Sequence, residues 1–131
     1  MVDVCGHLLT AVVHAASVQD FHGARPVLQK LAEEQWPRLE KILADAIYKG
    51  DKYLKAWVET TFGWELEVVE REAGQKGFQV IRKRWVVERT FAWLGRNRRL
   101  SKDYEFLPQT SETWLYIAMV ALLTRRFARS P

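Results

Sequence analysis

Little in this chain can build a disulfide, a paired-cysteine metal knuckle or a membrane span. Cys5 is the only cysteine in 131 residues. That excludes an internal disulfide framework and suits a reducing cytoplasm. The longest apolar run, Trp114 to Leu123, is ten residues, about half of what a membrane-crossing helix needs. It reads as a buried helix. No charged-then-apolar leader stands at the N-terminus. The seven glycines form no phosphate-cradling loop. His7, His14 and His22 lack the spacing of a ligand cluster, and His14, inside an apolar run, reads as a core residue. Ser17 and Cys5 have no base at motif spacing, so nucleophilic catalysis has no support. Internal repeats and low-complexity linkers are missing too.

What is present is enough for one globular domain. Hydrophobic residues make up 48% of the chain, far from a disordered composition. The net charge is +4, but it is unevenly spread. Residues 1–70 carry seven Lys/Arg against eleven Asp/Glu. Residues 71–102 carry ten basic side chains against Glu72 and Glu88. A local block of one sign is the footprint of a phosphate-backbone partner, or a solvated helix face.

Hydrophobic periodicity predicts the order β-β-α-β-α-β-α-α. Val2 to Cys5 and Leu8 to Ala15 read as a hairpin turning at Gly6-His7. A helix capped by Asp20 follows, with Val27, Leu28, Leu31 and Ala32 as its apolar stripe, and Trp36-Pro37 ends it. Arg38 to Asp45 is a third strand. A second helix buries Tyr53, Leu54, Trp57 and Val58 and stops at Gly63. Trp64 to Glu70 is a fourth strand, residues 80–100 form a basic helix, and Thr110 to Arg129 form the last one. Thr110 or Ser111 caps that last helix, and Glu112 suits its first turn. Strands alternating with helices imply a mixed sheet covered on both faces.

Two acids stand out by context. Asp45 sits where the chain leaves an apolar strand, and ligands of open α/β sheets gather at the carboxyl ends of strands. Glu88 is the one acid between Arg82 and Leu100, among seven basic residues. It lies three residues after Trp85 and three before Phe91, on a shared helix face. A salt bridge to Arg84, four residues earlier, would satisfy it. So would a divalent metal ion held jointly with a strand-end carboxylate, since hard cations take oxygen ligands. Trp85 and Trp93 read either as core or as platforms for an unpaired base.

The runs VVHAASVQDFHGA, ILADAIYKG and RWVVERTFAWLGRNRRLSKDYE extend over most of the chain. Together they resemble the transposases of bacterial insertion sequences, in the insertion-sequence-five group. The resemblance implies an RNase H-like fold and an Asp-Asp-Glu triad binding two Mg²⁺ ions, for which Mn²⁺ can substitute. It implies that Asp45 is the second triad carboxylate and Glu88 the third, both catalytic and metal-binding. It implies DNA as partner, both transposon ends and target. Arg82, Lys83, Arg84, Arg89, Arg96, Arg98, Arg99 and Lys102 would then hold phosphates near the metals. Ile47 stands where family members usually have Gly, which alters the loop after Asp45.

The same resemblance has a gap. The family's first triad Asp lies on the first strand of the sheet, upstream of the hairpin that opens this chain. Asp3 matches the family's Val-Asp-x-x-Gly hairpin position instead. The expectation is therefore a single partial catalytic domain lacking its first strand and inactive alone. It would self-associate or pair with an upstream transposase segment. The alternatives are a non-enzymatic DNA-binding or transposase-interacting remnant, and an RNase H-like nuclease unrelated to transposition.

Overall fold

The computed structural model describes residues 1–69 and 84–129. They form two compact units, one of Met1–His14 with Trp85–Pro131 and one of Ala15–Arg84. The architecture is mixed α/β.

The Ala15–Arg84 unit is a β-α-β arrangement preceded by a helix. Helix α1, Ala24–Glu33, buries Ala24, Leu28 and Leu31. Its stripe is the one predicted, with Val27 and Ala32 half-buried at the edges. Asp20 does not cap it; a 3₁₀ turn, Asp20–Gly23, intervenes and Gly23 takes the cap position. The helix ends two residues before Gln35, whose φ is +50°. Strand β1, Lys41–Asp45, leads through a 3₁₀ turn, Ala46–Gly50, to helix α2, Leu54–Phe62. Leu54 and Val58 are the buried residues of α2. Tyr53, expected inward, stands exposed at its N-cap because the helix begins after it. Gly63 closes α2 at φ +71°, its N–H donating to Glu59 O, as a left-handed cap requires.

Strand β2, Glu65–Val69, pairs parallel with β1 from Lys41↔Glu65 to Asp45↔Val69. The described sheet is this parallel pair, not the mixed four-stranded sheet expected. It is covered on one face only. Ile42 and Leu66, opposite one another, are buried. On the other face Lys41 Nζ meets Glu65 Oε1 at 2.9 Å and Glu67 Oε2 at 2.6 Å. Alternating acids at Glu65 and Glu67 keep that face in water.

The other unit opens with a turn at Val4–Cys5, closed by Gly6 N donating to Asp3 O at 3.0 Å, earlier than the expected Gly6-His7 and not followed by two strands. Val2 and Leu8 form one antiparallel bridge. Gly6 turns the chain at φ +81°, and Asp3 Oδ1 accepts from the N–H groups of Cys5 and His7, each at 2.8 Å. Beyond Leu8 no described strand lies alongside. Side chains of α4 take the place of a ladder. Ala11 N donates to the Tyr116 hydroxyl at 3.2 Å, and Val13 N donates to Glu112 Oε1 at 2.9 Å. A β-rich sequence stays irregular when its partners are side chains rather than a backbone. His14, expected in the core, is exposed.

Helix α3 is Arg84–Leu94, followed by a 3₁₀ turn at Arg98–Leu100. The basic helix expected over 80–100 is thus shorter at its C-terminal end, and residues 80–83 lie outside the described residues. Helix α4, Pro108–Phe127, starts on Pro108, a residue preset for a first turn. It starts two residues before the expected Thr110. Leu94, Ala118 and Met119 form the core of this unit, with Leu8, Leu100, Leu115, Leu122 and Leu123 packed round them. The apolar run of Trp114 to Leu123 is absorbed here. No helix among the described residues is long and apolar enough to cross a membrane.

A pH dependence follows from the Ala15–Arg84 unit. Arg25 Nη2 and Nε reach Asp51 Oδ2 at 2.8 and 3.0 Å, and the same guanidinium lies 4.8 Å from the Trp57 ring centre. The hydrogen bonds from Arg25 hold the Asp51 carboxyl below its ordinary range. A depressed carboxyl adds stability above the unfolded value and loses it as pH falls through the folded one. Acid melts should therefore show the stability gap between wild type and Asp51→Asn shrinking from about pH 4 downward. A gap constant from neutral pH to pH 2 would remove Asp51 from the acid response.

Candidate functional residues of the two units

Asp45 is the last residue of β1, at the carboxyl end of a parallel strand. It is exposed, with φ −72° and ψ 159°, and its Oδ1 accepts from Ala46 N at 2.6 Å. That bond caps the 3₁₀ turn and directs the side chain at the point where the strand ends. The position is the one read from sequence. Ile47, in the 3₁₀ turn Ala46–Gly50, is half exposed.

Glu88 is exposed on α3. Its neighbours decide that. Val86 and Thr90 are buried, with Thr90 only 3% exposed. Thr90 Oγ1 donates to Gly6 O at 2.7 Å, with Val86 O at 3.0 Å. Arg89 Nη2 donates to Cys5 O at 2.8 Å. Its guanidinium lies 4.3 Å from the Trp85 ring centre and 4.6 Å from that of Trp93. The hairpin therefore grips one side of α3. Residues two apart on a helix differ by about 200° in direction, so burying Val86 and Thr90 sends Glu88 to solvent.

Gly6 is needed for this grip twice over. Its φ is positive, and a Cβ there would stand 2.8 Å from Thr90 Oγ1 and 3.1 Å from the Trp93 ring. The sequence marked Gly6 as a turn and Thr90 as part of a motif, but gave no sign that the two touch.

Trp85 is 48% exposed and Phe91 68% exposed. The reading of Trp85 as core is thus not met. Trp93 is half-buried, with Arg89 and Arg126 guanidinia against it at 4.6 and 4.0 Å. A third set of groups was missed by spacing. Ligand atoms of Asp3, Cys5 and His7 lie within 4.8 Å of one another. Their surroundings do not suit a cation. Asp3 holds two backbone N–H groups and His7 Nδ1, and the Arg126 guanidinium stands 2.8 Å from His7 Nε2. Asp3 is committed to the hairpin.

The basic residues divide by environment. Arg96, Arg98 and Lys102 are exposed. Arg99 is exposed but paired with Glu105, Nε and Nη2 lying 2.8 and 2.7 Å from Oε1, and sits 5.2 Å from the Trp114 ring centre. Arg84 opens α3, while Arg82 and Lys83 lie outside the described residues. Asp103 Oδ1 accepts from Ser111 Oγ at 2.8 Å and from Glu105 N at 3.2 Å, fastening the loop before α4.

Two exposed carboxylates, one ending a parallel strand and one on a basic helix, are hard oxygen donors of the kind a divalent ion takes. The chain belongs to the transposase DDE domain family, whose model matches residues 1–123. The family implies an RNase H-like fold, a divalent-metal site and a DNA substrate. No curated protein and no solved structure matched the chain.

Gly6→Ala should cost about 1–3 kcal/mol of stability. Thr90→Val, which strands the Gly6 carbonyl, should cost a similar ~1–3 kcal/mol. Urea melts measure both. Wild-type midpoints for either variant would contradict the grip.

Proposed function

We propose that this chain is a catalytic-domain segment of a bacterial insertion-sequence transposase of the insertion-sequence-five group. Asp45 and Glu88 would be two of its three metal-holding carboxylates. The observation that carries the reading is the outward presentation of Glu88, on a helix whose other side is gripped by the hairpin. Asp45, at the carboxyl end of β1, supports it. Mg²⁺, or Mn²⁺ in its place, would activate a water or 3′-hydroxyl and stabilise the leaving oxygen of a phosphodiester. The chain's own part is to hold the ions through Asp45 and Glu88 and to hold DNA through cations. Arg96, Arg98 and Lys102 are the exposed cations for that work, with Arg82, Lys83 and Arg84 just upstream in sequence. Arg99 would bind phosphate only by sharing itself with Glu105. Transposon ends and target DNA are the proposed substrates, and the cytoplasm the compartment.

Asp3 does not supply the third carboxylate, since hairpin bonds occupy both its oxygens. A site short of one carboxylate loses metal affinity and misplaces the nucleophile, which costs orders of magnitude in rate. The 131 residues alone therefore carry out little or no strand transfer. Pairing with an upstream transposase segment would restore it; self-association, also proposed, brings a second copy of the same residues and no first triad Asp. The same commitment of Asp3 favours one alternative, a non-enzymatic remnant that binds DNA or an intact transposase.

Two assays separate these readings. Supplying the upstream segment in trans should yield Mg²⁺- or Mn²⁺-dependent cleavage of DNA ends, and Glu88→Gln or Asp45→Asn should abolish it. Cleavage by the purified chain alone would overturn the proposed inactivity. Reversing Arg96 and Arg98 to Glu should weaken DNA binding whether or not the site is whole. If those variants lose binding while no cleavage ever appears, the remnant reading stands.

A further inference from the structure

Arg89 sits in the middle of the basic block, and by sequence it counts as a phosphate ligand. Its surroundings fit a different task. The guanidinium lies between two indoles, Trp85 at 4.3 Å and Trp93 at 4.6 Å. Nη2 donates to Cys5 O, and Nε is buried without a hydrogen-bond partner. A phosphate-binding arginine offers its fork to solvent; this one commits Nη2 to a backbone carbonyl and buries Nε.

The contact continues beyond Arg89. Trp93 has the Arg126 guanidinium of α4 against it at 4.0 Å. Arg126 Nη1 lies 2.8 Å from His7 Nε2. Arginine only donates, so Nε2 accepts and Nδ1 carries the proton directed to Asp3 Oδ2 at 3.1 Å. The series Trp85, Arg89, Trp93, Arg126, His7 and Asp3 thus joins α3, α4 and the hairpin in one closed circuit. Both ends of the circuit finish on the same turn, at Cys5 O and at Asp3.

We propose that Arg89 is a positioning residue that, through this circuit, fixes the rotation of α3 and so the direction in which Glu88 leaves it. The proposal rests on reading Glu88 as a metal ligand. Arg89 follows Glu88 directly, about 100° round the helix. A carboxylate ~6 Å from the helix axis moves about 2 Å when the helix turns by roughly 20°, and errors near 1 Å are enough to cost a site about a hundredfold. Only a planar guanidinium fits between two indoles while its fork reaches a carbonyl. Lysine keeps the charge and loses both contacts.

The test uses the full chain with a nitroxide at position 88, introduced as Glu88→Cys in a Cys5→Ser background. In that chain Arg89→Lys should broaden the range of probe orientations seen by electron paramagnetic resonance. Arg126→Lys, which loosens the circuit from α4, should do the same if Arg89→Lys fails to fold. Unlabelled Arg89→Lys should lower Mn²⁺ affinity about tenfold or more, the usual effect of an outer-shell change. It should leave the salt slope of DNA binding unchanged, whereas Arg98→Gln should reduce that slope by about one. An unchanged nitroxide spectrum overturns the proposal. So does a reduced salt slope in Arg89→Gln, which would make Arg89 a phosphate ligand. If Glu88→Gln leaves Mn²⁺ affinity untouched, the metal reading fails separately, and the nitroxide still decides the positioning claim.

Discussion

The contact between Gly6 and Thr90 is the constraint on which the candidate site depends. One backbone carbonyl and one buried hydroxyl meet at 2.7 Å, with no room for a Cβ. The closeness is possible because Gly6 has no side chain and because its φ is positive. Asp3 sets the turn that puts the carbonyl there. Once Thr90 is committed, helix geometry leaves Glu88 no inward direction. The residues nearest the acid in sequence therefore serve it by facing elsewhere.

Charge follows a similar division of labour. Arg89, Arg99 and Arg126 all lie against indole rings, and each also has a polar partner within the chain. Arg96, Arg98 and Lys102 stand exposed. A basic block is thus partly mortar and partly surface. A count of positive residues overstates the number available to a polyanion, and only tertiary structure sorts them.

Much of the fold was legible where a local rule decides it. The stripe of α1, the stop at Gly63 and the strand ending at Asp45 follow from period and glycine chemistry. What failed depended on partners distant in sequence. Leu8 to Ala15 has strand composition, yet Tyr116 and Glu112 take the N–H groups of Ala11 and Val13. Asp20 looks like a cap, but a 3₁₀ turn displaces it. The sheet, expected to be covered on both faces, has one face in water because Lys41 and its acids hold it there. Asp45 and Glu88 were singled out from context and family resemblance. The circuit that orients one of them links residues more than a hundred positions apart, such as His7 and Arg126, and no local pattern announces that.

The most direct measurement of the central claim is paramagnetic broadening by Mn²⁺ followed residue by residue in the NMR spectrum of the chain. If Asp45 and Glu88 are metal ligands, backbone amides at the end of β1 and around the middle of α3 broaden first, at the lowest Mn²⁺ concentrations. Broadening that begins at Asp3, Cys5 and His7 and spares both would contradict the account. It would move the metal to the hairpin and leave the outward turn of Glu88 without a purpose.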